Sequence, residues 1–281
     1  MWTSSQTIRP GALGAFLAAL GALAQPAAAA EEKAAREEVR IAYSIHLGGF
    51  EVGEVAMDAL VGPASYEARS TLETRGLADA LFKSHYDTQA QGAIVEGVVA
   101  PATYGSDFRG AGSKTQKVRM SWQAGRPRLD LAEPSYDKAR AKRPVSEELQ
   151  RATVDPLSAM LFVILGSSAS ADAPCGATVP IYDGKRRYNL NFRLEEESED
   201  GASLGCAMEY QRVAGFKTKN RDDDEFPVPP LRIAMSRAHH ARMLVPERIE
   251  ADTPIGVATL VLTRFSASPA GARTADVAPG P

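Results

Sequence analysis

The stretch Val39-Arg40-Ile41-Ala42-Tyr43-Ser44-Ile45-His46-Leu47-Gly48-Gly49 decides the fold class. Val39, Ile41, Tyr43 and Ile45 share one face of an extended chain, while Arg40, Ala42, Ser44 and His46 share the other, which is the period of a half-buried strand. Gly48-Gly49 supplies the turn, and Val55, Met57, Ala59 and Val61 resume the same two-residue period. Residues 39–61 are therefore expected to form a hairpin, continued across Gly62-Pro63 by a third strand at 66–73.

The pattern repeats outward. Strands are expected through His85, Asp87 and Gln89, then at 103–109, 114–123 and 128–131, with glycines at 110, 112 and 125 as turn residues. Leu77, Ala80 and Leu81 have helical spacing and predict one or two helical turns before the strand at His85. In the second half, strands are expected at 178–182, 187–195, 202–210, 231–237, 248–251 and 255–265. Val257, Thr259, Val261 and Thr263 alternate with Ala258, Leu260 and Leu262, and a strand apolar on both faces suits the centre of a sheet or a barrel wall.

One convincing helix interrupts the strands, opening at Asp155-Pro156-Leu157-Ser158. Asp155 can accept orphan N–H groups as an N-cap, and Pro156 at the first helical position gives up a donor that has no intrahelical partner anyway. Leu157, Met160, Leu161, Ile164 and Leu165 then form an apolar stripe up to Gly166, so the helix must pack on a sheet. Residues 133–150, with Pro134, Pro144 and the cluster Lys138, Arg140, Lys142 and Arg143, predict a loop crossing between two groups of strands. The fold class is mainly β: a large curved antiparallel sheet or incomplete β-barrel with one packed α-helix, over residues 38–265 as a single domain.

The ends differ in character. Residues 1–30 carry one positive charge (Arg9), an apolar run at 11–23 and four alanines at 27–30, the three parts of a secretory signal peptide. The run is short for a membrane anchor, and no cysteine stands near the cleavage point for lipid attachment, so a soluble exported product is expected, localised to the periplasm. Residues 31–37 predict a loose lead-in, and the Ala-, Gly- and Pro-rich residues 266–281 predict a disordered tail. The two cysteines, Cys175 and Cys206, are in an oxidising compartment most economically one disulfide, the alternative being two buried thiols. A net charge of -3 implies no nucleic-acid partner.

The chemistry-bearing residues are sparse. His239-His240 lies between two strands, but neighbours on a strand point to opposite faces, so a solvated turn is expected rather than a metal site. His46 and His85 fall on polar strand faces and are expected at the surface. Asn220, Asp222 and Asp224 match the start of a calcium loop, yet Glu225 stands where glycine is needed and Leu231 where a bidentate glutamate belongs. No nucleophile elbow, P-loop, dinucleotide fingerprint or zincin helix occurs, so no catalytic residue, metal or cofactor is assigned. Lys138, Arg140, Lys142 and Arg143, together with Lys185, Arg186 and Arg187 at a hairpin tip after Asp183-Gly184, form candidate basic surfaces for headgroups or glycans, or solvated loops.

Several stretches carry a family resemblance together: Tyr43-Ser44-Ile45 with Gly48 and Gly53, Val99-Ala100-Pro101 with Tyr104, and Asp155-Pro156-Leu157-Ser158. Cys175, the run from Val179 through Asp183-Gly184 to Tyr188, Cys206 with Tyr210, Val213-Ala214-Gly215-Phe216, and Pro246 with Ile249 and Gly256 complete the pattern. In order and spacing the chain resembles the exported bacterial proteins grouped as domain of unknown function 3108. The resemblance implies an envelope protein built on a large curved antiparallel sheet, similar in outline to lipoprotein carriers and periplasmic β-spiral proteins, and it brings no catalytic residues. The leading expectation is a non-enzymatic protein supporting envelope integrity, holding a lipid or acyl chain between sheet and helix, with Leu157, Met160, Leu161, Ile164 and Leu165 as wall or plain core. The alternative is a scaffold whose sheet edges or basic loops bind an envelope protein or peptidoglycan.

Overall fold

The structure, a computed structural model, describes residues 36–76, 78–79, 83–112, 114–136, 144–165, 175–216, 228–240 and 242–271. The signal-peptide segment, the basic cluster at Lys138 to Arg143, the start of the calcium-like loop and residues 272–281 lie outside them. So do Leu77, Ala80 and Leu81, beside which Gly76, Ala78 and Asp79 are helical.

Seven strands form the first half: β1 (Glu37–Leu47), β2 (Phe50–Val61), β3 (Ser65–Thr74), β4 (Ser84–Val95), β5 (Val98–Gly110), β6 (Lys114–Gln123) and β7 (Arg126–Glu133). A one-turn helix α1 (Glu147–Gln150) and the longer α2 (Pro156–Leu165) follow. The second half is β8 (Thr178–Tyr182), β9 (Arg187–Glu197), β10 (Ser203–Ala214), β11 (Leu231–Ser236), β12 (Val245–Thr253) and β13 (Gly256–Pro269). All thirteen strands join one sheet in the order β7-β6-β5-β4-β3-β2-β1-β13-β12-β11-β10-β9-β8, antiparallel throughout. The chain thus starts at the centre, meanders to one edge, crosses by way of the helices to the other edge, and meanders back to pair with its own first strand.

That centre explains two features of the sequence. Val39, Ile41 and Tyr43 are buried, and across the β1–β2 ladder they face Ala59, Met57 and Val55, which are buried too. Strand β13, apolar on both faces, lies between β1 and β12 rather than at an edge. It also runs four residues beyond the expected end at Phe265: Ser266, Ala267, Ser268 and Pro269 pair with Arg40, Val39, Glu38 and Glu37. Main-chain pairing does not depend on apolar side chains, so residues 266–269, expected in the disordered tail, are ordered by β1 instead. Glu37, assigned to the lead-in, likewise belongs to β1.

The sheet curls until its outer strands approach without pairing. Both outermost strands carry proline, Pro127 in β7 and Pro180 in β8, and proline withholds a ladder donor. The segment before α2 bridges the gap instead. Val154 donates to the Pro180 carbonyl at 2.9 Å and accepts from Tyr182 N at 3.0 Å, while Trp122 Nε1 donates to the Thr153 carbonyl at 3.1 Å. At Gly184 the backbone is left-handed (φ +90°), and a Cβ there would stand 2.7 Å from Val118 Cγ1 and 3.1 Å from Leu129 Cδ1. Only glycine lets the β8–β9 turn press onto β6 and β7 this closely. The result is an unclosed, curved, barrel-like sheet with α2 inside.

Helix α2 starts as its sequence requires. Asp155, fully buried, accepts from Leu157 N at 3.0 Å and Ser158 N at 2.9 Å. Ser158 Oγ donates to Asp155 Oδ2 at 2.5 Å, and Tyr66 OH, 2.6 Å away, donates to Ser158 Oγ. The single polar residue of the helix is therefore satisfied within the core, as a buried hydroxyl must be.

The expected single stripe needs correction. Leu157, Leu161 and Ile164 enter one core cluster with the first half of the sheet, whereas Ala159 and Val163 enter a second with β8–β11. Met160 is 37% exposed and belongs to neither cluster, and Leu165 is only partly buried. The sequence PLSAMLFVIL has no polar face, and a helix apolar all round is enclosed on more than one side.

Cys175 and Cys206 are joined by a disulfide, with Cα atoms 5.6 Å apart and a sequence separation of 31. Both are buried in the second cluster, so the bridge ties the approach to β8 onto β10.

Candidate functional site

Between α2 and the concave face of the sheet is an apolar cavity of about 320 Å³. Its floor follows from strand pairing. On the inner face Tyr43 stands opposite Val55, Val55 opposite Leu72, and Leu72 opposite Tyr86, one row crossing β1–β4. A second row, Leu260–Ile249–Ile233, crosses β13, β12 and β11, and Leu190, Phe192 and Met208 extend the wall onto β9 and β10.

The helix closes the space from above. Successive helical residues turn by about 100°, which puts Pro156, Met160 and Val163 on one sector, opposite Ser158 and Leu161. All three line the cavity. Of the expected stripe, Leu157, Met160 and Ile164 thus touch the cavity, whereas Leu161 is 1% exposed and is core alone. Sequence reasoning missed Val163 and Ala159, since neither falls on the stripe, and the missing polar face of α2 is the signal that points to them.

The few polar side chains here are committed to the fold. Tyr43 OH donates to the Pro246 carbonyl at 2.9 Å, Thr88 Oγ1 to the Ser70 carbonyl at 3.4 Å, and the Tyr86 and Tyr104 hydroxyls are 3.1 Å apart. Burial pushes the phenols of Tyr43 and Tyr104 well above the usual tyrosine range, so both stay neutral in any ordinary buffer. Among the described residues the wall carries no ionised group.

The other candidate residues are dispersed. Asp183 accepts from Lys185 N at 2.8 Å and Arg186 N at 2.6 Å, fixing the hairpin tip. Arg187 folds back, giving hydrogen bonds to the carbonyls of Leu149 and Tyr188 and to Asn189 Oδ1. Arg186 instead lies over the Phe216 ring. The three basic residues at this tip therefore do not make one cationic surface. A larger cleft of about 580 Å³ runs along the seam between β7 and the β8–β9 turn, but its lining mixes Arg126, Arg128, Asp130 and Arg151 with apolar residues. Arg128 is paired with Asp130 there at 2.7 Å.

The histidines sit in separate surroundings: His239 Nε2 meets Glu247 at 2.9 Å, His240 Nε2 lies 3.6 Å from Glu37, and His85 lies between Asp87 and Glu73. His46 is half-buried, with Nδ1 shielded and unbonded, so it is not the freely exposed residue its strand face implied. Among the described residues no three His, Cys, Asp or Glu side chains gather as metal ligands.

The profile of a family described as protein of unknown function, DUF3108, matches residues 42–263. The chain belongs to the DUF3108 family. No curated protein matches it. Among solved structures, this DUF3108 chain is similar to a beta-barrel-like protein of domain of unknown function DUF1849 from Brucella abortus. The TM-score is 0.50 at 11% identity, over 82% of this chain and 98% of the other. At that identity the likeness concerns the fold: a mainly β, barrel-like sheet recurs in two families without assigned function.

Proposed function

We propose that this chain is an exported, non-catalytic carrier that holds a lipid or acyl chain in the cavity between α2 and the sheet, and so serves the cell envelope. The observation that carries the reading is the cavity itself. Protein interiors are close-packed, yet here about 320 Å³ remains open against Val55, Leu72, Leu190, Phe192 and Ile233, with Met160 half-exposed beside it. That volume is at the lower end of small-molecule sites, about 300–1,000 Å³, and the wall offers apolar contact with almost no hydrogen-bonding demand. Each methylene buried there contributes about 0.8 kcal/mol before the costs of association. The signal-peptide-like residues 1–30 and the buried Cys175–Cys206 bridge support residence in an oxidising compartment outside the cytoplasm.

The test is native mass spectrometry of protein recovered from the periplasm, with lipid extraction of the same sample. An extra mass that disappears on extraction, and that Met160→Trp excludes while circular dichroism stays unchanged, is the expected result. A clean apo mass in both proteins, with no extractable lipid, overturns the reading.

A further inference from the structure

Two hairpins end side by side at one rim of the sheet, and both present bare apolar side chains there. The β1–β2 turn is Gly48-Gly49, leading into Phe50, and the β12–β13 turn is Pro254-Ile255. Strands β2 and β13 flank β1, so the two tips stand about 10 Å apart. Gly48 N donates to the Val257 carbonyl at 3.0 Å, which holds one tip against the other. Phe50 is 73% and Ile255 75% exposed, more than any other large apolar residue among the described ones. Neither enters a core cluster.

Strand register ties this rim to the cavity. Directly opposed residues share a face of the sheet, and one cross-strand row runs Phe50–Leu47–Ala258–Ala251–Leu231–Met208. The last two residues of that row line the cavity, so Phe50 stands on the cavity side of the sheet. Leu72 and Tyr86, also in the cavity wall, lie only two residues from the ends of β3 and β4 at the same rim. Behind the tips the ionised groups are paired: Arg75 meets Glu54 at 2.6 Å and Glu73 at 3.2 Å, and Arg232 meets Asp252 at 2.7 Å. Glu51, the residue after Phe50, stands opposite His46 and so belongs to the outer face.

We propose that this rim docks on a lipid bilayer, with Phe50 and Ile255 inserted at the headgroup boundary and the cavity brought up to the membrane surface. The inference rests on the carrier reading and deepens it, since it names the surface with which the acyl chain is exchanged. A protein partner is the poorer fit. A stable protein interface covers about 800 Å² per side, and two side chains on separate turns offer a fraction of that. A bilayer needs no complementary shape, and apolar side chains entering it gain from burial alone. With Arg75 and Arg232 already neutralised, apolar insertion rather than attraction to anionic lipid drives the contact.

The experiment is flotation of the full-length mature protein with vesicles of phosphatidylcholine alone and of phosphatidylcholine mixed with phosphatidylglycerol. Wild type is expected to bind both, within about twofold of each other and with little change in added salt. Phe50→Ser/Ile255→Ser, whose melting curve serves as the fold control, is expected to bind at least about tenfold more weakly. Val95→Ser/Val98→Ser removes the exposed valines of the β4–β5 hairpin at the opposite end of the strands, and it should bind within about twofold of wild type. The docking proposal is overturned by a wild type that does not float, by a rim variant that floats like wild type, or by equal losses in both variants. Binding confined to phosphatidylglycerol and abolished by salt overturns it too. Native mass spectrometry judges the carrier separately. A lipid-loaded wild type that does not float overturns the docking and leaves the carrier, whereas an apo protein that floats through Phe50 and Ile255 overturns the carrier and leaves a membrane-docking rim.

Discussion

Asp155 provides the sharpest physical test of how α2 is buried. Its carboxyl is completely enclosed, and burial outweighs the hydrogen bonds from Ser158 and from the Leu157 and Ser158 amides, pushing its pKa from the ordinary 3.8 up to about 6. The folded state therefore binds a proton more readily than the unfolded chain between those values. Stability from this group is fully present below pH 3.8, and it is lost as pH rises through about 6. The shift of roughly two units corresponds to an order of 3 kcal/mol. Urea unfolding of wild type and Asp155→Asn at intervals from pH 3.5 to 8 isolates it, because other titrating groups cancel in the difference. Relative to the Asn variant, wild type is expected to lose about 3 kcal/mol on going from pH 4 to pH 7, with the slope concentrated between pH 4 and 6. A flat difference would refute the enclosure of the carboxyl. A rising one would mean that the helix N-terminus and its amides outweigh desolvation.

Two other outcomes follow from the same architecture. Replacing Cys175 and Cys206 together by alanine opens a 31-residue loop and should lower stability by about 4 kcal/mol in denaturant titrations, whereas an unchanged midpoint would show that the bridge does not constrain the unfolded chain. Leu161→Ala should cost about 2–5 kcal/mol because its side chain is 1% exposed, while Met160→Ala at the cavity should cost under about 1 kcal/mol; comparable losses would place Met160 in packed core.

The strands were legible because their signal is local. The two-residue period marked β1 and β2 by Val39, Ile41, Tyr43, Val55 and Met57, and turn glycines separated them from the next run. Asp155-Pro156 marked the start of α2 for an equally local reason: cap and proline chemistry are read within one turn. The end of β13 was not legible, since Ser266 to Pro269 are ordered by the backbone of β1, more than 220 residues earlier. Nor was the division of α2 among two core clusters and a cavity. Periodicity reports that a face is apolar, and it does not say how many surfaces surround it. The place of Arg186 was hidden as well: sequence neighbourhood groups it with Lys185 and Arg187, while the ring it lies over, Phe216, is thirty residues away.

By itself the sequence determined which residues extend, which coil, where the one long helix begins and which residues point to the apolar side, because each is set by contacts within a few residues. Tertiary structure alone decided that the first and last strands meet at the centre, and that the two outermost strands approach without pairing with each other. It also decided that the space beneath α2 stays partly unfilled. Those outcomes depend on the curvature summed over thirteen strands and on the volumes that curvature encloses, quantities that no short window of residues contains.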